Sequence, residues 1–428
     1  MSLFDRSKSF VAASAMARLR AAEFLRSGTD PQRKRLMRSV AGGSIVVLLM
    51  ATAGHAQSGA GVDAASAIPS SSPWFVRTSV APARVLASSR FDTSGDGARA
   101  LTLEVGRQTD GSRDWHRVYN YPSYGIGLAA AWFDRERELG RPLSAYTFFS
   151  WPFPVSSRAQ LAVDLALGLS WNWNEFDRQT NAANTALGSD IAYQVDGGLS
   201  LRVLVTARSS IYAGVNLTHW SNGAISQPNL GLANVGPKLG VRYDFAPRAV
   251  PPRVSADELP AFAPSWEFVL GAAGSPKSAV AKTSTHVALP DRWREFGAFN
   301  LTTGVQRHFY RFGKAAAGVD LTYDGATGAR VEAIAGRQID LRASPDQRYG
   351  AGVYGGYEHV IARFGILAQF GYTAWRGFDD EEVPRFYQRY ATRFYLSPRF
   401  WGSFAVRSMK FRKANNLEIG AGYRVQLR

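Results

Sequence analysis

An all-β chain closed as a transmembrane antiparallel β-barrel is the fold this sequence predicts, and three observations predict it. Long segments alternate apolar and polar residues with a period of two, the side-chain period of a strand. The N-terminal region runs from basic to apolar to small residues, the order of a signal peptide. Aromatic residues make up 12% of the chain, and Trp171, Trp173 and Trp220 stand at the ends of alternating segments, where a membrane barrel carries its interfacial girdles.

Residues 1–56 hold nine basic residues against three acidic ones. Arg33-Lys34-Arg35-Leu36-Met37-Arg38 leads into the apolar run around Ile45-Val46-Val47-Leu48-Leu49-Met50 and then Gly54-His55-Ala56, so cleavage after Ala56 is expected, with Met37 as an alternative start. That run is shorter than the ~20 residues a spanning helix needs, and no other run approaches it. Residues 57–95 are rich in Ala, Ser, Gly and Pro and read as a flexible N-terminal segment. Residues 96–428 are expected to form one barrel, 96–246 carrying the functional motif and 247–428 adding strands.

The alternation begins at Leu101, Leu103 and Val105 and continues through Tyr124 to Phe133 and Tyr146 to Trp151. Leu161, Val163, Leu165, Leu167 and Leu169 then alternate with Asp164, Gly168 and Ser170. Later segments centre on Leu199 to Val203, Ile211 to Leu217, Leu239 to Phe245, Trp266 to Ala272, Phe299 to Phe309, Ala315 to Tyr323, Arg348 to Glu358, Arg363 to Tyr372, Arg389 to Leu396, Phe400 to Phe411 and Leu417 to Leu427. Charges fall repeatedly on the non-apolar face: Asp164, Asp196, Arg202, Arg242 and Asp320. In a membrane barrel that face looks into the lumen. About 14 strands are expected, with Arg330 to Arg342 a short helix or turn insert.

The chain has no cysteine, which excludes disulfides and thiolate metal sites. Its formal net charge of +16 suits either nucleic acid or an anionic lipid surface. No phosphate-cradling Gly-Lys loop or dinucleotide fingerprint follows a strand, and His116, His286, His308 and His359 are scattered without metal-ligand spacing. Asp379-Asp380-Glu381-Glu382 reads as a solvated acidic loop.

One stretch carries chemistry: Leu217-Thr218-His219-Trp220-Ser221-Asn222-Gly223, continuing through Gln227-Pro228-Asn229-Leu230-Gly231 to Ala233-Asn234. The two-residue period puts His219 and Ser221 on the apolar, lipid-facing side of a strand end. A serine hydroxyl beside an imidazole can act as nucleophile and base, and Asn234 is the candidate that orients the imidazole. Asn222, Gly223 and Asn229 are candidate donors to an oxyanion. The bland alternative is a strand end followed by an ordinary Asn-Gly turn.

These residues resemble the signature of PagL-type lipid A 3-O-deacylases, in the wider acyloxyacyl hydrolase group of outer-membrane barrels. The likeness runs from about Leu101 to Phe245 and touches Tyr119-Asn120-Tyr121-Pro122 and Asn181 to Ser189. It implies an outer-membrane esterase that removes an acyl chain from lipid A or lipopolysaccharide, with Ser221 as nucleophile, His219 as base, no cofactor and no nucleic acid partner. The small members complete the triad with a glutamate, and Ala233 stands at that position here. A non-catalytic barrel, porin-like or structural, is the competing expectation.

Overall fold

The structure, a computed structural model, describes residues 73–86, 95–177, 179–251, 254–259, 261–279, 294–334, 337–379, 383–411 and 413–427. The expected signal segment 1–56 lies outside the described residues. The strands close into two barrels of eight, where one of about 14 was expected.

The first barrel comprises β1 Trp74–Val85, β2 Gly97–Gln108, β3 Ser123–Phe133, β4 Gly140–Pro154, β5 Ala159–Trp173, β6 Ala192–Leu204, β7 Ser209–Ser221 and β8 Leu232–Asp244. Each strand is antiparallel to the next, and β8 closes on β1 with Asp244 opposite Phe75. Strand β1 falls in the segment expected to be a flexible extension. Its outward Val76, Thr78 and Val80 alternate with inward Phe75, Arg77 and Ser79, a short pattern that Pro82 and the surrounding Ala and Ser obscure.

The second barrel comprises β9 Ser265–Ala279, β10 Arg294–Tyr310, β11 Gly313–Asp324, β14 Tyr349–Ile361, β15 Phe364–Arg376, β16 Phe386–Tyr395, β17 Phe400–Met409 and β18 Lys413–Leu427. It closes between β18 and β9 with Tyr423 opposite Leu270. The insert after β11 is a small hairpin, β12 Arg330–Ile334 with β13 Arg337–Leu341. Residues 245–264 link the barrels and hold Pro247, Pro251, Pro252, Pro260 and Pro264. Proline cannot donate to a sheet ladder, so this run ends one barrel before the next begins. In hydrocarbon an open sheet edge leaves backbone groups unpaired, and closure within each half removes both edges.

The alternation has the polarity of a membrane barrel. Leu101, Leu103, Val105, Ile126, Leu128, Leu239 and Val241 are exposed outside, whereas Arg77, Glu104, Asp164, Arg242, Asp244, Asp320, Arg389, Arg393 and Glu418 are buried inside. An eight-stranded lumen is just wide enough for side chains to fill. Here they fill it with ion pairs: Arg77 bridges Glu104 and Asp164, Arg242 holds Asp244 at 2.6 Å, and Arg389 stands between Asp320 and Glu418.

The short turns lie at the same end of both barrels. There a helix in the β2–β3 connection, α1 Asp114–Val118, delivers Tyr119 against the second barrel, where its hydroxyl donates to the Val360 carbonyl. The tyrosine ring packs edge-on against Trp151 and Phe312. The long β7–β8 loop lies at the opposite end.

Candidate active site

Strand β7 ends at Trp220-Ser221, and Trp220 decides which way its neighbours face. Its ring points inward and joins an apolar plug with Phe133, Leu139, Trp173, Leu187 and Leu232 that caps the lumen. Trp173 and Phe133 lie 5.5 and 5.8 Å away between ring centroids, and the indole N–H donates to Gln194 Oε1 at 3.1 Å. Trp173 and Trp220 are therefore lumen residues, a correction to the girdle expected of them. The positive φ of Asn172 (67°) breaks the β5 alternation just before Trp173. Alternation then sends His219 and Ser221 outward, as expected.

The loop after Ser221 is tied to the β5–β6 loop. Asn222 Nδ2 donates to Ser189 Oγ and to the Ser226 carbonyl, both at 3.0 Å, while its Oδ1 accepts from Ala224 N. Ser226 Oγ donates to the Gly188 carbonyl, and Gly231 N donates to the Ala186 carbonyl. A Cβ on Gly188 would fall 2.5 Å from the Gln227 backbone, so the two loops approach only because that residue is glycine.

This brings Asn229 onto Ser221. Ser221 Oγ donates to Asn229 Oδ1 at 3.2 Å, with Asn229 Nδ2 at 3.0 Å from the same oxygen. Gly223 N donates to Ser221 Oγ at 3.2 Å, and Asn222 N donates to Asn229 Oδ1 at 3.1 Å. Of the three expected oxyanion donors, Asn229 and the Gly223 amide converge on Ser221. The Asn222 side chain is committed to the loop. Tyr193 stands opposite Ser221 on β6. Sequence reasoning missed Tyr193, which meets Ser221 only through β6–β7 pairing, and touched Gly188 and Ser189 only as part of the likeness over Asn181 to Ser189.

Asn234 is not at the imidazole. From β8 it pairs with Thr218 on β7 and lines the lumen with Ser144, Gln194, Thr218 and Trp220, so the expectation that it orients His219 is corrected. A one-residue step along a strand reverses the face. The residue opposite His219 is Ala233. The imidazole edge packs on Gly231, where a Cβ would lie 2.8 Å from His219 Cε1, and among the described residues no hydrogen bond reaches it.

Two family models match, and they divide as the barrels do. Residues 99–242 match "Lipid A 3-O-deacylase (PagL)" and residues 264–427 match "Acyloxyacyl hydrolase, C-terminal domain". The chain belongs to the PagL family of acyloxyacyl hydrolases. Each half is a closed eight-stranded barrel, and the half beyond Phe245, which the small enzymes' motif leaves unaccounted for, has a family model of its own. The solved structure of the outer-membrane enzyme PagL is 16% identical over 40% of this chain and 99% of its own, with a TM-score of 0.27. Neisserial surface protein A is 14% identical over 41% of this chain and 98% of its own, at 0.28. The siderophore receptor PirA from Acinetobacter baumannii is 8% identical over 83% of this chain and 81% of its own, at 0.24. No curated protein matches the chain.

Proposed function

We propose that this protein is an exported outer-membrane esterase that removes an ester-linked acyl chain from lipid A, with Ser221 as nucleophile and His219 as base. The observation that carries the reading is a serine and a histidine in the outward phase of one strand end, on a barrel that matches the lipid A 3-O-deacylase family model. An ester linkage lies at the boundary between headgroup and chain, the depth of a strand end. A soluble substrate would rarely meet that face.

In the reaction His219 takes the Ser221 proton as Oγ bonds to the ester carbonyl carbon. In this reading the Asn229 amide and the Gly223 N–H, both hydrogen-bonded to Ser221 Oγ, donate to the oxyanion. Collapse breaks the ester C–O bond, and His219 returns the proton to the leaving sugar hydroxyl. Water activated by His219 then releases the fatty acid and regenerates Ser221. The Ser221–Asn229 hydrogen bond must exchange for one to His219 before attack.

The test is mass spectrometry of lipid A from cells expressing the wild type, Ser221→Ala or His219→Ala. Loss of one acyl chain is expected with the wild type alone, since removing a nucleophile or its base costs several orders of magnitude in turnover. Identical lipid A from all three, with the barrels folded, would end this reading. A non-catalytic structural barrel is the second reading, favoured by the unpartnered imidazole. The ion pairs filling the first lumen oppose a channel there, since the space left within it is about 50 Å³, room for a few waters; the second barrel holds a cavity of about 380 Å³ beside Glu267, Lys314 and Arg424.

A further inference from the structure

The second barrel keeps open space at its short-turn end, the end away from Ser221. A cavity of about 380 Å³ reaches the β14–β15 and β16–β17 turns and is lined by Glu267, His308, Lys314, Arg363, Tyr395 and Arg424. Lys314 is 2% exposed. Its ammonium donates to Glu267 Oε2 at 2.9 Å, and Arg424 Nη1 donates to Glu267 Oε1 at 3.0 Å. Gln306 Nε2 donates to Oε2 as well, at 2.8 Å, so both carboxylate oxygens are in use. The neighbouring Glu358 is held by Arg393 and by the Tyr395 hydroxyl. Around the cavity Lys314, Arg363, Arg393 and Arg424 therefore stand against Glu267 and Glu358, an excess of two positive charges among the described residues. Donors are in surplus too. Of the three N–H groups of Lys314 one is hydrogen-bonded, and no described residue pairs with the Arg363 guanidinium. His308 Nε2 is buried with no hydrogen-bond partner among the described residues.

We infer that this mouth is a binding site for a small soluble phosphate monoester, with Lys314, Arg363 and Arg424 as its anion ligands and His308 Nε2 as a further hydrogen-bonding group. The inference concerns the second barrel and does not depend on the esterase reading. A buried cation is costly unless an anion pairs with it, and the carboxylates at the cavity are already shared. A phosphate monoester carries a charge of about −1.5 to −2 at pH 7, which matches the excess, whereas a single carboxylate would leave half of it unmatched. Its oxygens accept from the ammonium and guanidinium donors that remain. Tyr395 holds two of those cations in place, with Lys314 Nζ 5.0 Å and Arg424 Cζ 4.2 Å from its ring centroid. The volume falls within that of small-molecule sites, roughly 300–1,000 Å³, so a phosphate enters with a few carbons attached. Short turns face the periplasm in outer-membrane barrels, and the β18–β9 ladder closes the wall against lipid. The ligand therefore comes from the aqueous side.

The test titrates the full-length protein, in micelles of a zwitterionic detergent, with glycerol 3-phosphate by calorimetry, and uses glycerol as the neutral control. Saturable binding of the phosphate ester alone is expected. Arg363→Ala removes an exposed turn residue and strands no partner. It should weaken binding roughly tenfold or more, the cost of one charge-assisted hydrogen bond. Arg399→Ala removes an exposed arginine from the neighbouring β16–β17 turn, outside the cavity, and should leave the affinity nearly unchanged because salt screens a charge in open water. Lys314→Gln, checked for folding by heat-modifiable migration, should abolish the signal. No saturable heat from the wild type at millimolar ligand overturns the proposal. So does equal weakening by Arg363→Ala and Arg399→Ala, which would mean attraction to the basic rim at large, and so does wild-type affinity in a folded Lys314→Gln protein.

Discussion

The two barrels share strand number, closure and a lumen of ion pairs, and they differ at the end that carries the long loops. In the first barrel an apolar plug with Phe133, Trp173 and Trp220 closes the lumen there. In the second, polar groups meet there instead, Lys277 holding Asp324 and Asn415, with Arg389 between Asp320 and Glu418 deeper in the lumen. A plug of large rings fixes side-chain direction through close packing, and a strand end so fixed holds its outward pair in one orientation. An ion-pair ladder holds a barrel shut but leaves its outer wall free to be apolar. The half with the proposed Ser221–His219 pair thus has a cluster of large buried rings directly beneath that pair.

The largest expected effect comes from breaking the plug. Trp220→Ala removes a buried indole, a change that costs about 3–5 kcal/mol in well-packed cores, and it frees the β7 end to twist. Both the urea midpoint and ester hydrolysis should fall, and Trp220→Phe should recover most of each. Wild-type hydrolysis by Trp220→Ala would show that the loop bonds alone aim Ser221.

The matching experiment in the second barrel separates stability from chemistry. Arg389→Met leaves Asp320 and Glu418 buried without their cation, and stranding buried charges in this way costs about 3–5 kcal/mol. Unfolding should come at lower urea, while kcat at a temperature where the barrel is folded stays near wild type. A loss of kcat as large as that of Trp220→Ala would mean that the two halves are not divided in this way.

Much of this was legible in the sequence and some was not, for physical reasons. Alternation exposed fifteen of the sixteen barrel strands, because lipid outside and ion pairs inside leave opposite residue types on the two faces. Closure was hidden. A period of two says which face is apolar but nothing about which strand pairs with which, and only the proline run from Pro247 to Pro264 marked the division. His219 and Ser221 were readable because polar residues in an apolar phase stand out. Asn234 was misread because adjacency in sequence was taken for adjacency in space, when a strand sends successive side chains apart. Tyr193 reaches Ser221 only through β6–β7 pairing, which no local pattern encodes.

The contrast between Ala233 and Asn234 gives a sharper, smaller effect. Ala233 faces His219 across the β7–β8 register while Asn234 faces the lumen. Ala233→Glu would place a carboxylate where the small family members carry one, giving the imidazole an acceptor that fixes its tautomer. The loss of an orienting carboxylate can reach ~10⁴-fold, so a gain on the order of tenfold in kcat is a modest expectation. Asn234→Ala should leave kcat within about twofold. The reverse result, with Asn234→Ala inactive and folded, would return Asn234 to the catalytic set.

The smallest effect concerns the short-turn end, where α1 latches the first barrel to the second. His116 in α1 is buried beside Asp110, with Nδ1 3.1 Å from its carboxylate. Burial pushes the His116 pKa below its ordinary value, with Arg113 and Arg107 adding to the push and Asp110 opposing it. Asp110 itself is held down to about 2 by hydrogen bonds from Ser112, so it stays ionised throughout the range that matters. The unfolded segment therefore binds more protons than the folded one as pH drops below about 6.5. The contribution of His116 is fully present above that pH and is lost as pH falls toward its folded value. Hydrogen exchange over residues 109–122 should be modestly faster at pH 5.5 than expected from intrinsic rates at pH 7.5, and His116→Gln, which cannot take up the proton, should flatten the difference. Equal pH dependence in both proteins would place the sensitivity elsewhere in the latch, with His359, 3.2 Å from the Tyr119 hydroxyl, the next residue to replace.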